Sequence, residues 1–173
     1  MFIDVDKLPH DGLKISKDFD FPSSELIDEN VVFLQPVHAE VAVEAIGEEE
    51  VRLKGRITTR LSLVCGRCLT PFEFPVDSRF DLVYFPEEFH ELRDELEEDD
   101  LDQLFYVDGK IDLREIVLEQ LNLTFPAKPL CSEGCEGICA VCGRIRRGGE
   151  CGCQGQTTEG PLDQLKIFLK DKR

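Results

Sequence analysis

Alternating polar and apolar residues dominate the first half of the chain and predict β-strands. Residues 38–45 and 51–58 alternate with a period of two, which is typical of strands that bury one side and expose the other. Further strand-like runs occupy residues 13–21, 61–64, 72–76 and 80–85. We therefore expect residues 31–85 to form an antiparallel β-sheet or partial barrel with one face in water.

Two later stretches follow helical spacing. Apolar residues recur through residues 113–121 at intervals of three and four, and Asp112 precedes them as a candidate N-cap. This pattern predicts a helix over about residues 111–122, and the prolines that follow indicate where the helix ends. A second short helix is predicted from Pro161. The predicted fold class is α+β, with a β-rich body, a few helices and a Cys-rich C-terminal segment.

Length and composition limit what kind of protein this is. The chain has 173 residues, of which 42% are hydrophobic, so it can form one ordinary domain or a domain with a small module. No apolar run approaches the roughly 18 residues needed to cross a bilayer. The first residues lack the basic and apolar regions of a secretion signal. We therefore expect a cytoplasmic protein with no membrane partner.

The net charge of -16 is distributed unevenly. Residues 1–125 hold 30 acids and 12 bases, a net of -18, whereas residues 126–173 hold 6 acids and 8 bases, a net of +2. We therefore divide the chain into an acidic β-rich body, residues 1–125, and a mildly basic Cys-rich segment, residues 126–173, packed on it as one unit. The body is expected to repel duplex nucleic acid and to attract basic partners.

Local charge clusters add two hypotheses. Residues 87–102 contain ten acids, and we interpret them either as a solvated loop or as a patch that docks a basic protein segment. Basic residues on one strand face and near the C-terminus could contact RNA or another partner. These candidates are Arg52, Lys54, Arg56, Arg60, Arg144, Arg146, Arg147, Lys170, Lys172 and Arg173. The alternatives are ordinary solvated strand positions for the first four, and charge compensation of a thiolate site for the three arginines of residues 144–147.

Eight cysteines form four close pairs along the sequence. The pairs are Cys65 with Cys68, Cys131 with Cys135, Cys139 with Cys142, and Cys151 with Cys153. Two of the pairs are C-x2-C knuckles with a glycine inside or directly after them, a spacing that lets two thiolates reach one tetrahedral ion. In a chain without a secretion signal, such pairs favour zinc over disulfides.

We predict one or two structural zinc ions, but spacing leaves the pairing open. The C-x2-C-x8-C-x-C series that ends at Cys153 is compact enough for one ion, and the first knuckle could join Cys131 and Cys135 across the fold. Either of those two could instead replace Cys151 or Cys153. Buried free thiols and a thioredoxin-type redox pair are the alternatives, although the first knuckle follows a strand and opens no helix. The three histidines lie outside the Cys clusters, which disfavours catalytic zinc.

The cysteines and the residues around them resemble the YceD family of large ribosomal RNA subunit accumulation proteins. The resemblance is carried by residues 63–69, 111–113, 119–123, 135–143, 151–153 and 160–165, together with Pro126, Pro129 and Cys131. One departure is the basic stretch at residues 144–149, where the family usually has an Asn-containing one.

The resemblance implies a cytoplasmic, non-enzymatic protein that supports accumulation or processing of large-subunit (23S) rRNA. The implied partners are a precursor large ribosomal subunit, a basic ribosomal protein or 23S rRNA, with no small-molecule substrate. The sequence contains no nucleotide-binding loop, nucleophile elbow or catalytic dyad, so no catalytic residue is assigned. The alternatives are a zinc-stabilised protein–protein adaptor unrelated to ribosomes and a thiol-redox protein.

Overall fold

The computed structural model describes residues 1–28, 30–47, 49–87, 104–146 and 151–153. The predicted terminal helix, all of the acidic block after Glu87, and the candidate cations Arg147, Lys170, Lys172 and Arg173 lie outside the described residues. The described elements are β1 (Phe2–Asp4), β2 (Leu13–Phe19), β3 (Val32–Phe33), β4 (Val37–Ala45), β5 (Val51–Val64), β6 (Pro71–Pro86), β7 (Leu104–Tyr106), β8 (Lys110–Asp112) and α1 (Leu113–Asn122). Two 3-10 turns, Val5–Lys7 and Ser23–Glu25, complete them.

A long hairpin of β5 and β6 organises the main sheet. The two strands pair antiparallel over their whole length, from Val51 opposite Tyr84 to Val64 opposite Pro71. The strand order is β2-β4-β5-β6-β7, and β3 pairs with the far end of β5. The predicted strand pieces at residues 72–76 and 80–85 are therefore one continuous strand, as are those at residues 51–58 and 61–64.

The strands within residues 31–85 all pair antiparallel, as predicted. The complete sheet has two further features. It is not purely antiparallel, because β7 runs parallel to β6. A parallel pair needs a long crossover, and the chain between Pro86 and Leu104 is long enough to provide one. Within the described residues the sheet is also open, with β2 and β7 at its ends, so it does not close into a barrel.

The core lies between one face of this sheet and helix α1. Alternate residues of β4 and β5 point inward, and the side chains of Val43, Leu53 and Leu61 are fully buried. Helix α1 packs against β5, β6 and β1 and buries its apolar stripe, Leu113, Ile116, Val117 and Leu121. The 3.6-residue period of that stripe is what the sequence pattern predicted.

The start of helix α1 depends on the side chain of Asp112. Its Oδ1 accepts a hydrogen bond of 2.9 Å from the Arg114 N–H and lies 3.1 Å from the amino group of Met1. Partial burial raises the pKa of Asp112, but these hydrogen bonds outweigh it and hold the pKa below its usual value of 3.8. The folded state therefore favours the carboxylate over the acid.

Replacing Asp112 by alanine is expected to lower the free energy of unfolding at pH 7 by about 1 kcal/mol, because an N-terminal N–H loses its acceptor. Since the folded pKa is depressed, this contribution is present above the unfolded pKa and is lost as the pH falls through the folded value. Urea unfolding at pH 7 measures the effect. Asp112→Asn is the control, because it keeps a capping oxygen, and an equally large loss in both variants would contradict the capping role.

Candidate metal centres

The first knuckle forms the tip of the β5–β6 hairpin. Cys65 N–H donates to the Thr70 carbonyl at 3.0 Å, and Leu69 N–H donates to the Cys65 carbonyl at 2.9 Å. Leu69 closes the turn with a φ of 58°, a left-handed conformation that is unusual for a residue other than glycine. The turn places the Cys65 and Cys68 side chains in the interior, where they are 0% and 3% exposed.

The second knuckle repeats the same turn. Gly143 N–H donates to the Cys139 carbonyl at 2.9 Å, and Gly143 has a φ of 69°. In both knuckles the residue four positions after the first cysteine therefore closes the loop with a positive φ. At Gly143 the sequence supplies the residue that adopts this conformation most easily.

The structure brings the eight cysteines together in two groups of four. Cys65 and Cys68 meet Cys131 and Cys135, which we call site 1, and Cys139, Cys142, Cys151 and Cys153 form site 2. Within each group all four sulfur atoms lie within 4.8 Å of one another. Spacing allowed this grouping but did not select it over the others.

The sulfur spacing of site 1 matches a tetrahedral metal centre. Cys65 Sγ lies 3.8 Å from Cys135 Sγ, and Cys68 Sγ lies 3.7 Å from Cys131 Sγ. Four thiolates around a tetrahedral ion with metal–sulfur distances of about 2.3 Å have sulfur–sulfur edges of about 3.8 Å. A disulfide requires about 2.05 Å, and all eight cysteines are free thiols. Both groups could therefore hold a metal ion.

The electrostatics of each group also favour a cation. The N–H groups of Cys68 and Cys131 lower the pKa of Cys65 to about 6, and the neighbouring Cys68 sulfur raises the pKa of Cys131 to about 12. Four adjacent thiolates repel one another, so some sulfurs keep their protons. A divalent ion would take the place of those protons and remove the repulsion.

In site 2, as in site 1, one thiol has a lowered pKa and another has a raised pKa. The N–H groups of Cys142 and Val141 lower the pKa of Cys139 to about 5. The Cys142 sulfur raises the pKa of Cys153 to about 12. Cys142 is exposed, so site 2 is more accessible to solvent than the site at the hairpin tip.

Backbone contacts fasten the Cys-rich segment to the hairpin tip. Gly66 N–H donates to the Pro129 carbonyl at 2.8 Å, and Arg67 Nη1 donates to the Cys135 carbonyl at 2.9 Å. Gly137 has a φ of 77°, and a Cβ there would lie 3.0 Å from the Arg67 carbonyl oxygen. Site 1 is thus embedded in a wider junction, in which Arg67 and Gly137 are positioning residues that the sequence pattern did not single out.

The predicted basic residues near site 2 have different environments. The Arg146 guanidinium interacts with the Cys139 sulfur, which helps to lower the pKa of that thiol. This contact is compatible with charge compensation of a thiolate site, one of the two interpretations of Arg146. Arg144 is exposed, and its carbonyl accepts the Cys139 N–H at 2.8 Å.

The predicted basic stripe lies on the solvent face of β5, but three of its four residues have a carboxylate within 4.0 Å. Arg52 binds Asp81 through two hydrogen bonds of 2.7 Å, and Arg56 binds Asp77 through two of 2.7 and 2.6 Å. Lys54 Nζ lies 3.9 Å from the same Asp81. Arg60, in contrast, has no carboxylate within 4.0 Å among the described residues. The two aspartates were not foreseen, because their positions depend on the register of β6.

A family model matches residues 53–169, which include all eight cysteines and all but the first two residues of the β5–β6 hairpin. Its description is "Large ribosomal RNA subunit accumulation protein YceD". The chain belongs to the YceD family. The match spans more than half of the chain, and the family's name links the chain to the large ribosomal subunit without identifying a binding partner.

Curated relatives of this YceD protein are uncharacterized proteins of mycobacteria. One from Mycobacterium leprae is 30% identical over 109 residues, covering 62% of this chain and 48% of the relative. One from Mycobacterium bovis is 29% identical over 105 residues, covering 60% and 48%. The chain therefore spans about half the length of the curated relatives it matches. No solved structure matches it significantly. Among the described residues, no helix has the length and apolar character to cross a membrane.

Proposed function

We propose that this protein is a non-enzymatic, zinc-stabilised factor of ribosome biogenesis that supports the accumulation and processing of 23S rRNA in the cytoplasm. The observation that carries the proposal is membership of the YceD family over residues 53–169. That region includes nearly all of the β5–β6 hairpin, helix α1 and both Cys groups, so the family model covers the part of the chain that contains the candidate metal centres.

Zinc is the metal that we propose for both sites. Two closed sets of four thiols suit a tetrahedral ion, and the 3.7–3.8 Å sulfur contacts of site 1 fit zinc–thiolate distances. A site with four protein thiolates leaves no position for water or substrate. The role is therefore structural, because metal binding supplies folding free energy to a segment with few large apolar residues.

We propose a basic partner for the acidic body. The chain carries a net charge of -16, and its acids are concentrated before residue 126. A basic ribosomal protein, or the basic rim of a precursor large subunit, would complement this surface. Contact with 23S rRNA would then be confined to local groups of cations.

The thiol arrangement disfavours a redox function. A dithiol oxidoreductase uses one C-x2-C pair at the start of a helix. Here each knuckle is a turn, and its two sulfurs lie in one group with the sulfurs of a second Cys pair. An adaptor unrelated to ribosomes would have the same metal centres. The adaptor and the ribosome-biogenesis factor therefore differ only in the partners that they bind.

The proposed function is tested by sedimentation and depletion. The tagged protein is expected to co-sediment with precursor large subunits on sucrose gradients, and its depletion is expected to lower mature 23S rRNA relative to 16S rRNA, as measured by Northern blotting. Affinity purification should recover ribosomal proteins and rRNA, whereas an unrelated adaptor would recover neither. Absence of co-sedimentation together with an unchanged 23S to 16S ratio would refute the proposal.

A further inference from the structure

A groove of about 580 Å³ crosses the solvent face of the main sheet. It passes over four neighbouring strands at the register row Ile15, Val41, Gly55 and Phe80, whose backbone forms its floor. The side chains on either side of this row point outward, and all of them except the half-buried Ala42 are exposed. Those that carry charge are Lys14, Lys54, Arg56, Arg79, Glu40 and Asp81.

The charges in the groove do not cancel. Arg56 is held by Asp77, and Asp81 is held by Arg52, each through a pair of short hydrogen bonds. Lys54 lies 3.9 Å from an Asp81 that is already engaged. Among the described residues, neither Lys14 nor Arg79 has a carboxylate within 4.0 Å.

Of the two acids in the lining, Asp81 is held by Arg52, and Glu40 is the other. The Glu40 carboxylate accepts no hydrogen bond from an arginine among the described residues, and it lies 4.0 Å from the His38 ring. The lining therefore carries a net charge of +2, from four cations, Lys14, Lys54, Arg56 and Arg79, and two acids, Glu40 and Asp81. A concave surface focuses the field of its charges, so this groove attracts anions although the whole chain carries a net charge of -16.

The shape of the groove selects among anions. Four strands at the usual spacing of about 4.8 Å span about 14 Å, the width of one extended chain and not of a double helix lying across the face. A duplex would also reach the acids at the rim, such as Glu44 and Glu73, which point to the same side. The lining side chains include no exposed aromatic ring for stacking on bases, so the contacts available are with phosphates.

We propose that this groove binds the phosphate backbone of single-stranded RNA through Lys14, Lys54 and Arg79, without reading its sequence. The inference rests on the proposed function, because that function supplies rRNA as the natural ligand. It adds two cations from β2 and β6 to the stripe foreseen on β5, and it assigns the ion-paired Arg52 and Arg56 a mainly structural role.

The test uses a fluorescein-labelled U12 oligonucleotide and the full-length, zinc-loaded protein. Fluorescence anisotropy measures the affinity between about 25 and 150 mM salt. The Lys14→Glu/Arg79→Glu variant is expected to bind at least about tenfold more weakly than the wild type, and its slope of log K against log salt is expected to be lower by about 1 to 1.5. Lys7→Glu/Lys110→Glu is the matched control, because it changes the net charge by the same amount away from the groove, and it should change the affinity less than about threefold.

Several outcomes would overturn the inference. They are failure of the wild type to bind U12, an equal effect of the groove and control variants, and competition by poly-glutamate as effective as competition by unlabelled U12, which would indicate an acidic protein as the ligand. Unchanged circular dichroism and zinc content show that each variant is folded.

A second experiment separates this inference from the proposed function. If the groove variant still co-sediments with precursor subunits and restores the 23S rRNA level in depleted cells, the groove is not the RNA contact, although the function stands. If the wild type neither co-sediments nor affects 23S rRNA, the function fails, and the U12 measurement still decides whether the groove binds RNA.

Discussion

Cys68→Ser is expected to halve the zinc content and to release the Cys-rich segment from the hairpin tip. Site 1 joins the tip to Cys131 and Cys135, residues more than 60 positions away in sequence. Structural zinc contributes apparent free energies of about 10–16 kcal/mol in small zinc modules, which is comparable to the total stability of a domain. We expect the hydrogen bonds that Gly66 and Arg67 make to the segment to be too few to hold it once site 1 is disrupted.

The effect of Cys68→Ser should be local, and limited proteolysis can show where it lies. The variant should become sensitive to Glu-C cleavage after Glu133, while the β-sheet signal in circular dichroism persists because the core of Leu53, Leu61 and Leu121 is intact. Elemental analysis measures the zinc, and mass spectrometry identifies the cleaved bond.

Cys142→Ser is the matched control for Cys68→Ser, because it removes a thiol of site 2 and leaves site 1 complete. This variant should also lose half of the zinc. Its new cleavage should occur after Arg144 or Arg146 with trypsin, and the bond after Glu133 should stay protected. The same cleavage pattern in both variants, or full zinc retention in Cys68→Ser, would contradict two independent centres.

Gly55→Ala is expected to destabilise the protein by about 2–3 kcal/mol, although alanine is usually better than glycine in a strand interior. The ring of Phe80, on the neighbouring strand, lies over Gly55, and a Cβ at that position would be 2.2 Å from Phe80 Cζ. The ring is 8% exposed and packed in the core, so it cannot move without disturbing its neighbours. Urea unfolding in the presence of zinc measures the change.

The Gly55 prediction has a rescue and a control. In a Phe80→Leu background the smaller side chain should reduce the cost of Gly55→Ala, which appears as a coupling energy in a double-mutant cycle. Gly134→Ala should be nearly neutral, because no heavy atom lies within 4 Å of a Cβ there and its φ is not in the left-handed region. A neutral or stabilising Gly55→Ala would show that the ring is free to move.

Local patterns predicted most of the secondary structure. The two-residue alternation of β4 and β5 and the 3.6-residue stripe of α1 depend on side-chain direction within one element, so a single sequence is enough to recognise them. Asp112 was recognised as the N-cap for the same reason. The continuity of β6 was missed, because Pro75 and the charged residues after it interrupt the apolar pattern of the strand.

The charged surface was harder to predict. Arg52 and Arg56 were correctly placed on one strand face, but their partners Asp81 and Asp77 lie about 20 to 30 positions later. Which acid faces which base depends on the register between β5 and β6, and a shift of one residue would turn the aspartates to the other side. The groove that unites Lys14 with Arg79 depends on the order of four strands.

The sequence by itself determined which residues could bind metal and which could form strands and a helix, since C-x2-C spacing and periodicity are properties of a few consecutive residues. Only the tertiary structure decided that the first knuckle meets Cys131 and Cys135, leaving the other four cysteines to form site 2. It also decided which cations of the described residues lack a carboxylate partner, and it explains why residue 55 is a glycine. These features depend on contacts between distant parts of the chain, which form only when burial of the core outweighs the entropy lost in closing long loops.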